Sequence, residues 1–188
     1  YMYQYGQGII KNEVEAVNWY RKAAEQGNIV AQNNLGIMYQ YGRGTEQEYS
    51  EAVKYYQLSA ANGYAPAQNN LGWMYEQGLG VSRSYSEAVR LYRLSAEQGY
   101  SYGQNNLGRA YEFGLGVTMN YDIAKSWYEK AAAQGLVLAQ DNLRRLHEKM
   151  NPPQPQEYFS EAEESQVLTP QELYTQGTQC LNAKNYSE

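Results

Sequence analysis

Carboxamide side chains recur along this chain at a fixed interval of 36 residues. One column consists of four asparagines, and the column beside it of three asparagines and an aspartate: Asn34, Asn70, Asn106 and Asn142, and Asn33, Asn69, Asn105 and Asp141. Because a carboxamide both donates and accepts hydrogen bonds, such a column could pair with an extended peptide backbone at each step. Alternatively, the asparagines could bond neighbouring helices and hold a stack together. The sequence leaves both roles open.

The position after each Leu-Gly pair varies against this regular background. It holds Ile37, Trp73 and Arg109, and the equivalent residue in the last copy is Arg145. A large aromatic ring beside two guanidinium groups is suited to a partner with an apolar anchor and a carboxylate. The alternative for Trp73 is packing against the neighbouring repeat.

A second variable position lies four residues further on and extends the same surface. It holds Tyr41, Gln77 and Phe113, with Tyr5 as the earlier equivalent. We therefore predict that a protein or peptide partner binds a set of eight residues: Asn34, Asn70, Asn106, Asn142, Trp73, Arg109, Arg145 and Phe113.

Residues suited to catalysis or metal binding are scarce. His147 is the only histidine and Cys180 the only cysteine, so the sequence indicates neither a metal cluster nor a nucleophile beside a base. The Gly-x-Gly segments follow helical patterns rather than strands, and they lack the lysine of phosphate-binding loops. We expect no enzymatic activity, no cofactor and no metal.

Two helices per repeat must position these side chains. In the unit 67–102, Ala67, Leu71 and Met74 are spaced to share one face of a first helix. Ala88, Leu91, Tyr92, Ser95 and Ala96 recur at steps of three and four and define a second helix, which Ser84 or Ser86 could cap. The tyrosines that recur on both helices are predicted to be core residues with a polar tip.

Glycines mark the turn between the two helices of each repeat. Gly78 ends the first helix and Gly80 follows two residues later. Paired glycines after a helix suit backbone with positive φ, so we predict a positive φ at Gly78 or Gly80. A fixed period of this length predicts a solenoid in which each unit packs only on its neighbours.

These motifs resemble the Sel1-like repeat, a longer relative of the tetratricopeptide repeat. The resemblance rests on Leu71-Gly-x-x-Tyr75-x-x-Gly78-x-Gly80-Val81 followed by Ala88-x-x-Leu-Tyr92-x-x-Ser-Ala96-x-x-Gly99. It implies an all-α, right-handed superhelical solenoid of helical hairpins, with the first helix of each repeat lining a concave groove. Related superhelices grip peptides through an asparagine ladder.

The chain divides into an array, a linker and a final segment. The array covers 1–150, with a partial unit at 1–30, full units at 31–66, 67–102 and 103–138, and a capping helix at 139–150. In that cap Arg144 replaces the repeat glycine, which indicates that no further helix packs there. The Pro- and Glu-rich stretch 151–168 is predicted to be a linker. Residues 169–188 resemble the truncated start of a tetratricopeptide repeat, and 170–188 could mediate self-association.

Composition narrows the choice of partner and compartment. The net charge is −5, and because six of the glutamates lie beyond residue 150, the array itself is neutral. A neutral array has no basic stripe to follow a phosphate backbone, which argues against nucleic acid. The sequence has no apolar run that could span a membrane. It begins within a repeat, so we expect a piece of a longer protein, and no targeting signal is present.

The sequence therefore predicts an adaptor or scaffold that binds a partner segment on the concave face. The resemblance implies a bacterial protein that is secreted or periplasmic and serves in secretion, envelope processes or host contact. Two other classes stay open. One is an architectural spacer that joins repeat domains, which asparagines bonded only among themselves would favour. The other is an envelope hydrolase with an unrecognised site.

Overall fold

The computed structural model describes residues 12–152, which form eight helices and no strand. The helices in chain order are α1 (Glu13–Glu25), α2 (Ile29–Tyr41), α3 (Tyr49–Ala61), α4 (Ala65–Gln77), α5 (Tyr85–Glu97), α6 (Ser101–Phe113), α7 (Tyr121–Ala133) and α8 (Val137–Met150). The even-numbered helices are the first helices of the repeats, and the odd-numbered ones are the second helices. The predicted all-α solenoid of helical hairpins is confirmed. The linker at 151–168, beyond Pro152, and the segment 169–188 lie outside the described residues, as do Tyr5 and Cys180.

A side-chain cap sets the start of three of the four second helices in residues 12–152, whereas α3 has no such cap. Ser84 Oγ accepts a hydrogen bond from Glu87 N at 3.3 Å, and Asn120 Oδ1 accepts one from Ile123 N at 3.0 Å. These side chains satisfy backbone donors that lack a partner within the helix. The predicted cap at Ser84 is confirmed. The first helices begin two residues before the predicted unit boundaries at 31, 67, 103 and 139, so that Pro66 lies in the first turn of α4.

The turn glycines fix how one repeat meets the previous one. Gly78 caps α4 with a φ of 72°, and Gly80 has a φ of 68°, so the predicted positive φ is confirmed at both. A Cβ at Gly80 would lie 2.4 Å from the carbonyl oxygen of Tyr49, at the start of α3 in the preceding repeat. The backbones of neighbouring repeats therefore touch at this turn.

Tyrosine and glycine meet inside each hairpin. The ring of Tyr92 on α5 lies against Gly72 on α4, where a Cβ would come within 2.8 Å of the ring. Tyr56 and Tyr128 occupy the same place in the neighbouring repeats, and all three tyrosines are buried. The small glycine lets two helices pack closely, and the prediction of core tyrosines with a polar tip is confirmed for the second helices. The recurring tyrosines of the first helices are only half-buried, so the prediction is wrong for Tyr39, Tyr75 and Tyr111.

The first helices lie on the inner side of the stack. Helix α4 packs directly on α6, and α6 on α8, whereas the second helices make no comparable contact with one another within residues 12–152. On α8 the side chain of Arg144 is 73% exposed and pairs with Asp141 at 3.2 Å, so it covers no other helix among the described residues. None of the helices in this part of the chain has the length and apolar character needed to cross a membrane.

Candidate functional site

One stripe of each first helix remains accessible, and these stripes together are called the inner face here. On α2 the stripe consists of Val30, Asn34, Ile37 and Tyr41, spaced by four, three and four residues. The equivalent residues continue the face along the array: Pro66, Asn70, Trp73 and Gln77 on α4, Tyr102, Asn106, Arg109 and Phe113 on α6, and Leu138, Asn142, Arg145 and Lys149 on α8. All eight predicted contact residues thus lie in these stripes, although Asn142 itself is buried, at 7% exposure.

The two asparagine columns are joined to each other. Asn70 Nδ2 donates to Asn33 Oδ1 at 3.0 Å, Asn106 Nδ2 to Asn69 Oδ1 at 2.8 Å, and Asn142 Nδ2 to Asn105 Oδ1 at 2.8 Å. Each bond connects one first helix with the next, and we call this series the asparagine ladder. The ladder links adjacent repeats. Since an amide has two N–H donors and a carbonyl with two lone pairs, one such bond leaves further hydrogen-bonding capacity.

A polar cavity opens in the middle of the inner face. It has a volume of about 180 Å³ and is lined by Gln40, Tyr41, Asn69, Asn70, Trp73 and Asn106. Trp73 is half-buried because one part of it packs on the hydrophobic cluster that α4 forms mainly with α3 of the preceding repeat, while another part borders the cavity. Tyr41 at the rim is 57% exposed. The structure therefore brings Asn70, Asn106 and Trp73 together, with Tyr41 beside them.

Arg109 has a different neighbour. Its Nη2 lies 2.6 Å from Oε1 of Glu76, and the Tyr92 hydroxyl donates to the other oxygen of the same carboxylate at 2.8 Å. Glu76 is only 7% exposed. A buried carboxylate needs both a counter-ion and hydrogen bonds to offset its lost hydration. Arg109 supplies that charge, so part of its role is structural.

A buried carboxylate also lies beneath Arg145. Glu112 is fully buried and accepts hydrogen bonds from Lys149 Nζ at 2.6 Å, from the Tyr128 hydroxyl at 2.8 Å and from Arg145 Nη2 at 3.1 Å. Burial alone would raise the pKa of the Glu112 carboxyl, but the hydrogen bonds from Lys149, Tyr128 and Arg145 outweigh it and hold that pKa below its usual value. Two cations thus share one carboxylate.

The exposed ring of Phe113 completes this end of the inner face. Lys149 Nζ lies 4.6 Å from the ring centroid, and the guanidinium carbon of Arg145 lies 5.7 Å from it. Both are within the range of a cation–π contact. The ring is 48% exposed. Phe113, Arg145 and Lys149 therefore form a cationic and aromatic surface, which we call the Phe113 cluster.

Three further residues lie beneath this face and were not among the predicted contact residues. Gln40, Glu76 and Glu112 are spaced by 36 residues, and each accepts a hydrogen bond from the buried tyrosine of its own hairpin. From one repeat to the next, the charge at this position changes together with the charge of the residue 33 positions later: Gln40 with Trp73, Glu76 with Arg109, and Glu112 with Arg145. Neutral Gln40 shares the central cavity with Trp73, whereas Glu76 pairs with Arg109. This coupled change is visible in the sequence and could have identified both ion pairs.

His147, the only histidine of the chain, lies outside this arrangement. His147 on α8 is exposed. Within residues 12–152 no group of three or more His, Cys, Asp or Glu side chains could hold a metal ion. The chemistry available on the inner face is hydrogen bonding, aromatic contact and charge pairing.

The repeats match a known family along most of the chain. A family model described as the Sel1 repeat matches residues 1–28, 29–64, 65–100 and 101–136. A search of curated proteins finds no match.

Two bacterial crystal structures are similar to this chain. A protective antigen present in uropathogenic Escherichia coli strains, which displays an SLR fold, is 42% identical with a TM-score of 0.74, over 80% of this chain and 32% of the antigen. A Sel1 repeat protein from Oxalobacter formigenes is 37% identical with a TM-score of 0.74, over 80% of this chain and 60% of that protein. The chain spans less than two thirds of either relative.

Proposed function

The chain belongs to the Sel1 repeat family, and we propose that its inner face binds an extended or helical segment of a partner protein. Sel1 repeats generally mediate protein–protein interaction. For this chain we assign the contact to the central cavity and the Phe113 cluster. The similarity to bacterial proteins supports a role in secretion, the envelope or host contact.

The single observation that carries this proposal is the composition of the central cavity. Trp73 and Tyr41 offer aromatic surface, while Asn70 and Asn106 offer hydrogen-bonding groups at the same opening. Aromatic residues with polar groups at their margin are typical of the residues that dominate binding energy in protein interfaces. We infer that an apolar side chain of the partner enters this cavity, and that amides pair with its backbone.

The charge distribution supports a second contact for an acidic group of the partner. Arg109 pairs with Glu76, so its charge is largely balanced. Arg145 and Lys149 share Glu112 between them, which leaves one surplus positive charge beside Phe113. We therefore place a partner carboxylate at the Phe113 cluster, and we regard Arg109 as a weaker contact than the sequence suggested.

The asparagine ladder favours an architectural role as the second candidate. Each of its bonds joins two repeats, so Asn70, Asn106 and Asn142 hold the stack together whether or not a partner binds. A spacer needs only this cohesion. A binding module also needs the exposed aromatic groups of the inner face to contribute to affinity.

Selection of peptides on the full chain tests the proposal. A displayed library of random peptides is selected on the wild-type protein, and the affinity of the enriched peptides is measured by calorimetry. Trp73→Ala should weaken binding by about 2 kcal/mol, or roughly thirtyfold, because a partly buried aromatic anchor is lost. Tyr85→Ala is the matched control, since Tyr85 is an exposed aromatic residue at the start of a second helix.

Two results would contradict the proposal. One is enrichment of peptides that bind Trp73→Ala and the wild type equally well. The other is the absence of any enriched peptide over repeated rounds of selection, which would favour the spacer.

A further inference from the structure

A second cavity lies on the opposite side of the hairpins, away from the inner face. It opens between the second helices α3 and α5, over α4, and has a volume of about 480 Å³. Its apolar lining consists of Ala60, Ala61, Leu71, Tyr75, Leu91 and Leu94. We call it the outer pocket. Neither the predicted contact residues nor the asparagine ladder takes part in it.

The repeat explains why a pocket can open at this place. Leu91 on α5 stands where the neighbouring repeats have Tyr55 and Trp127. Tyr55 stacks on Tyr39 with the ring centroids 5.8 Å apart and the planes within 4° of parallel. Trp127 packs on the hydrophobic cluster formed by α5 and α6, and so does Tyr111, the residue equivalent to Tyr39. The middle repeat, formed by α4 and α5, keeps the tyrosine of the first helix as Tyr75. On its second helix it has Leu91 in place of the aromatic residue.

Two smaller residues widen the same space. Gln57 on α3 stands where α1 and α5 have Arg21 and Arg93. Those arginines donate to the hydroxyls of the tyrosines equivalent to Tyr75, at 3.2 Å and 3.0 Å. Ala61 likewise stands where glutamates occupy the equivalent positions 25 and 97. Within residues 12–152 the Tyr75 hydroxyl has no such hydrogen bond, and its ring faces the pocket.

The charge at the rim indicates what the pocket holds. In the first described hairpin Lys54 lies 5.5 Å from the ring centroid of Tyr55. Arg90 occupies the position of Lys54 in the middle repeat and lines the outer pocket, but Leu91 beside it offers no ring. The pocket thus combines an apolar slot, a tyrosine face and the guanidinium of Arg90, whose Nε pairs with Glu87 at 2.9 Å. An aromatic ring would complete all three, by stacking on Tyr75 and lying beneath Arg90.

We propose that the outer pocket binds an aromatic side chain, tryptophan or tyrosine, presented by a partner protein. The incoming ring takes the place that Tyr55 and Trp127 fill within their own repeats. This site is independent of the inner face, so the chain would contact partners on both sides of the solenoid.

The proposal is tested with indole and 4-methylphenol as probes of the two side chains. Each is titrated into the full chain while the methyl resonances of leucine and alanine are followed by NMR. Saturable shifts are expected at Leu71, Leu91 and Leu94. Leu91→Trp rebuilds the arrangement of Trp127 and should weaken indole binding at least about tenfold, because the variant's own ring fills the pocket. Leu58→Trp is the matched control, since it adds the same bulk on α3 outside the pocket lining.

Circular dichroism establishes that each variant is folded, and Leu91→Tyr replaces Leu91→Trp if the larger ring prevents folding. Cyclohexylmethanol serves as a non-aromatic probe of similar size. The proposal is overturned if no saturable shift occurs in the wild type, if Leu91→Trp or its substitute binds indole as the wild type does, or if cyclohexylmethanol binds as tightly as indole.

Discussion

Arg109 and Glu76 are 33 residues apart in the chain and form an ion pair that joins two first helices, with Nη2 and Oε1 at 2.6 Å. Their counterparts one repeat earlier are Trp73 and Gln40, which share the central cavity without an ion pair. The proposed binding face and the contact between repeats therefore use the same positions. An ion pair forms where the residue below carries a charge, and a cavity opens where it does not.

Removing the arginine of this pair should destabilise the array. Arg109→Ala would leave the buried Glu76 without its counter-ion, and we expect a loss of roughly 2–3 kcal/mol, somewhat below a fully buried pair because Arg109 is 31% exposed. The double variant Glu76→Gln with Arg109→Trp copies the neutral pair Gln40 and Trp73 and should recover most of this loss. Urea unfolding followed by circular dichroism measures both. A double variant as unstable as Arg109→Ala would contradict the coupling.

The asparagine ladder should contribute to stability as well as to binding. Asn70→Ala and Asn106→Ala each remove one inter-helix hydrogen bond, and we expect about 1 kcal/mol of destabilisation from each. If amides also pair with a partner backbone, affinity for a selected peptide should fall by about 1–2 kcal/mol per substitution. Affinity is measured at a temperature where each variant is fully folded. A fall in stability with unchanged affinity would restrict the ladder to the scaffold.

The turn glycines should differ in how strictly they are required. Gly80→Val combines a φ of 68° with a clash against the backbone of Tyr49, and we expect a loss above about 2 kcal/mol. Gly99 has a φ of 86° but nothing within 4 Å of an added Cβ. Gly99→Val should therefore cost only the backbone strain, about 1–2 kcal/mol. Thermal melts compare the two, and an equal shift would show that the contact with the preceding repeat contributes nothing.

Acid should weaken the Phe113 cluster. Hydrogen bonds from Lys149, Tyr128 and Arg145 outweigh burial and hold the pKa of Glu112 below its usual value of about 4.3. A carboxyl with a lowered folded pKa stabilises the fold above its unfolded pKa, and this contribution is lost as pH falls through the folded value. Stability should therefore decline from about pH 4.3 downward.

The variant Glu112→Gln isolates this contribution. Its unfolding free energy should vary less between neutral pH and pH 3 than that of the wild type. Glu129→Gln is the control, since Glu129 is exposed and its ion pair with Lys125 is long, at 3.9 Å. A Glu112→Gln variant whose acid dependence equals that of the control would show that the cluster does not govern acid stability.

The sequence predicted those features that depend on local pattern. Helix pairs, the Ser84 cap and the positive φ of Gly78 and Gly80 follow from periodicity and from the properties of single residues. The partners of the asparagines did not follow, because they depend on the register between neighbouring helices. The ion pair of Glu76 with Arg109 does not follow from either column taken alone along its 36-residue interval. Its signal lies across two columns, at an interval of 33.

The contact at the turn glycines has a consequence for how such arrays can change in length. Gly44, Gly80 and Gly116 each meet the backbone at the start of the second helix of the preceding hairpin, at Glu13, Tyr49 and Tyr85 respectively. A glutamate stands at the first of these contacts and a tyrosine at the other two, and all three contacts are made with main-chain atoms. Because this contact uses main-chain atoms, it does not depend on a particular side chain. We therefore expect that a whole 36-residue repeat can be removed or added without losing the contact. Deleting 65–100 would remove α4 and α5 and place α6 against α3, with Gly116 in contact with the backbone of Tyr49. The array would then be one repeat shorter, and the side chains of α2 and α6 would become neighbours on the inner face.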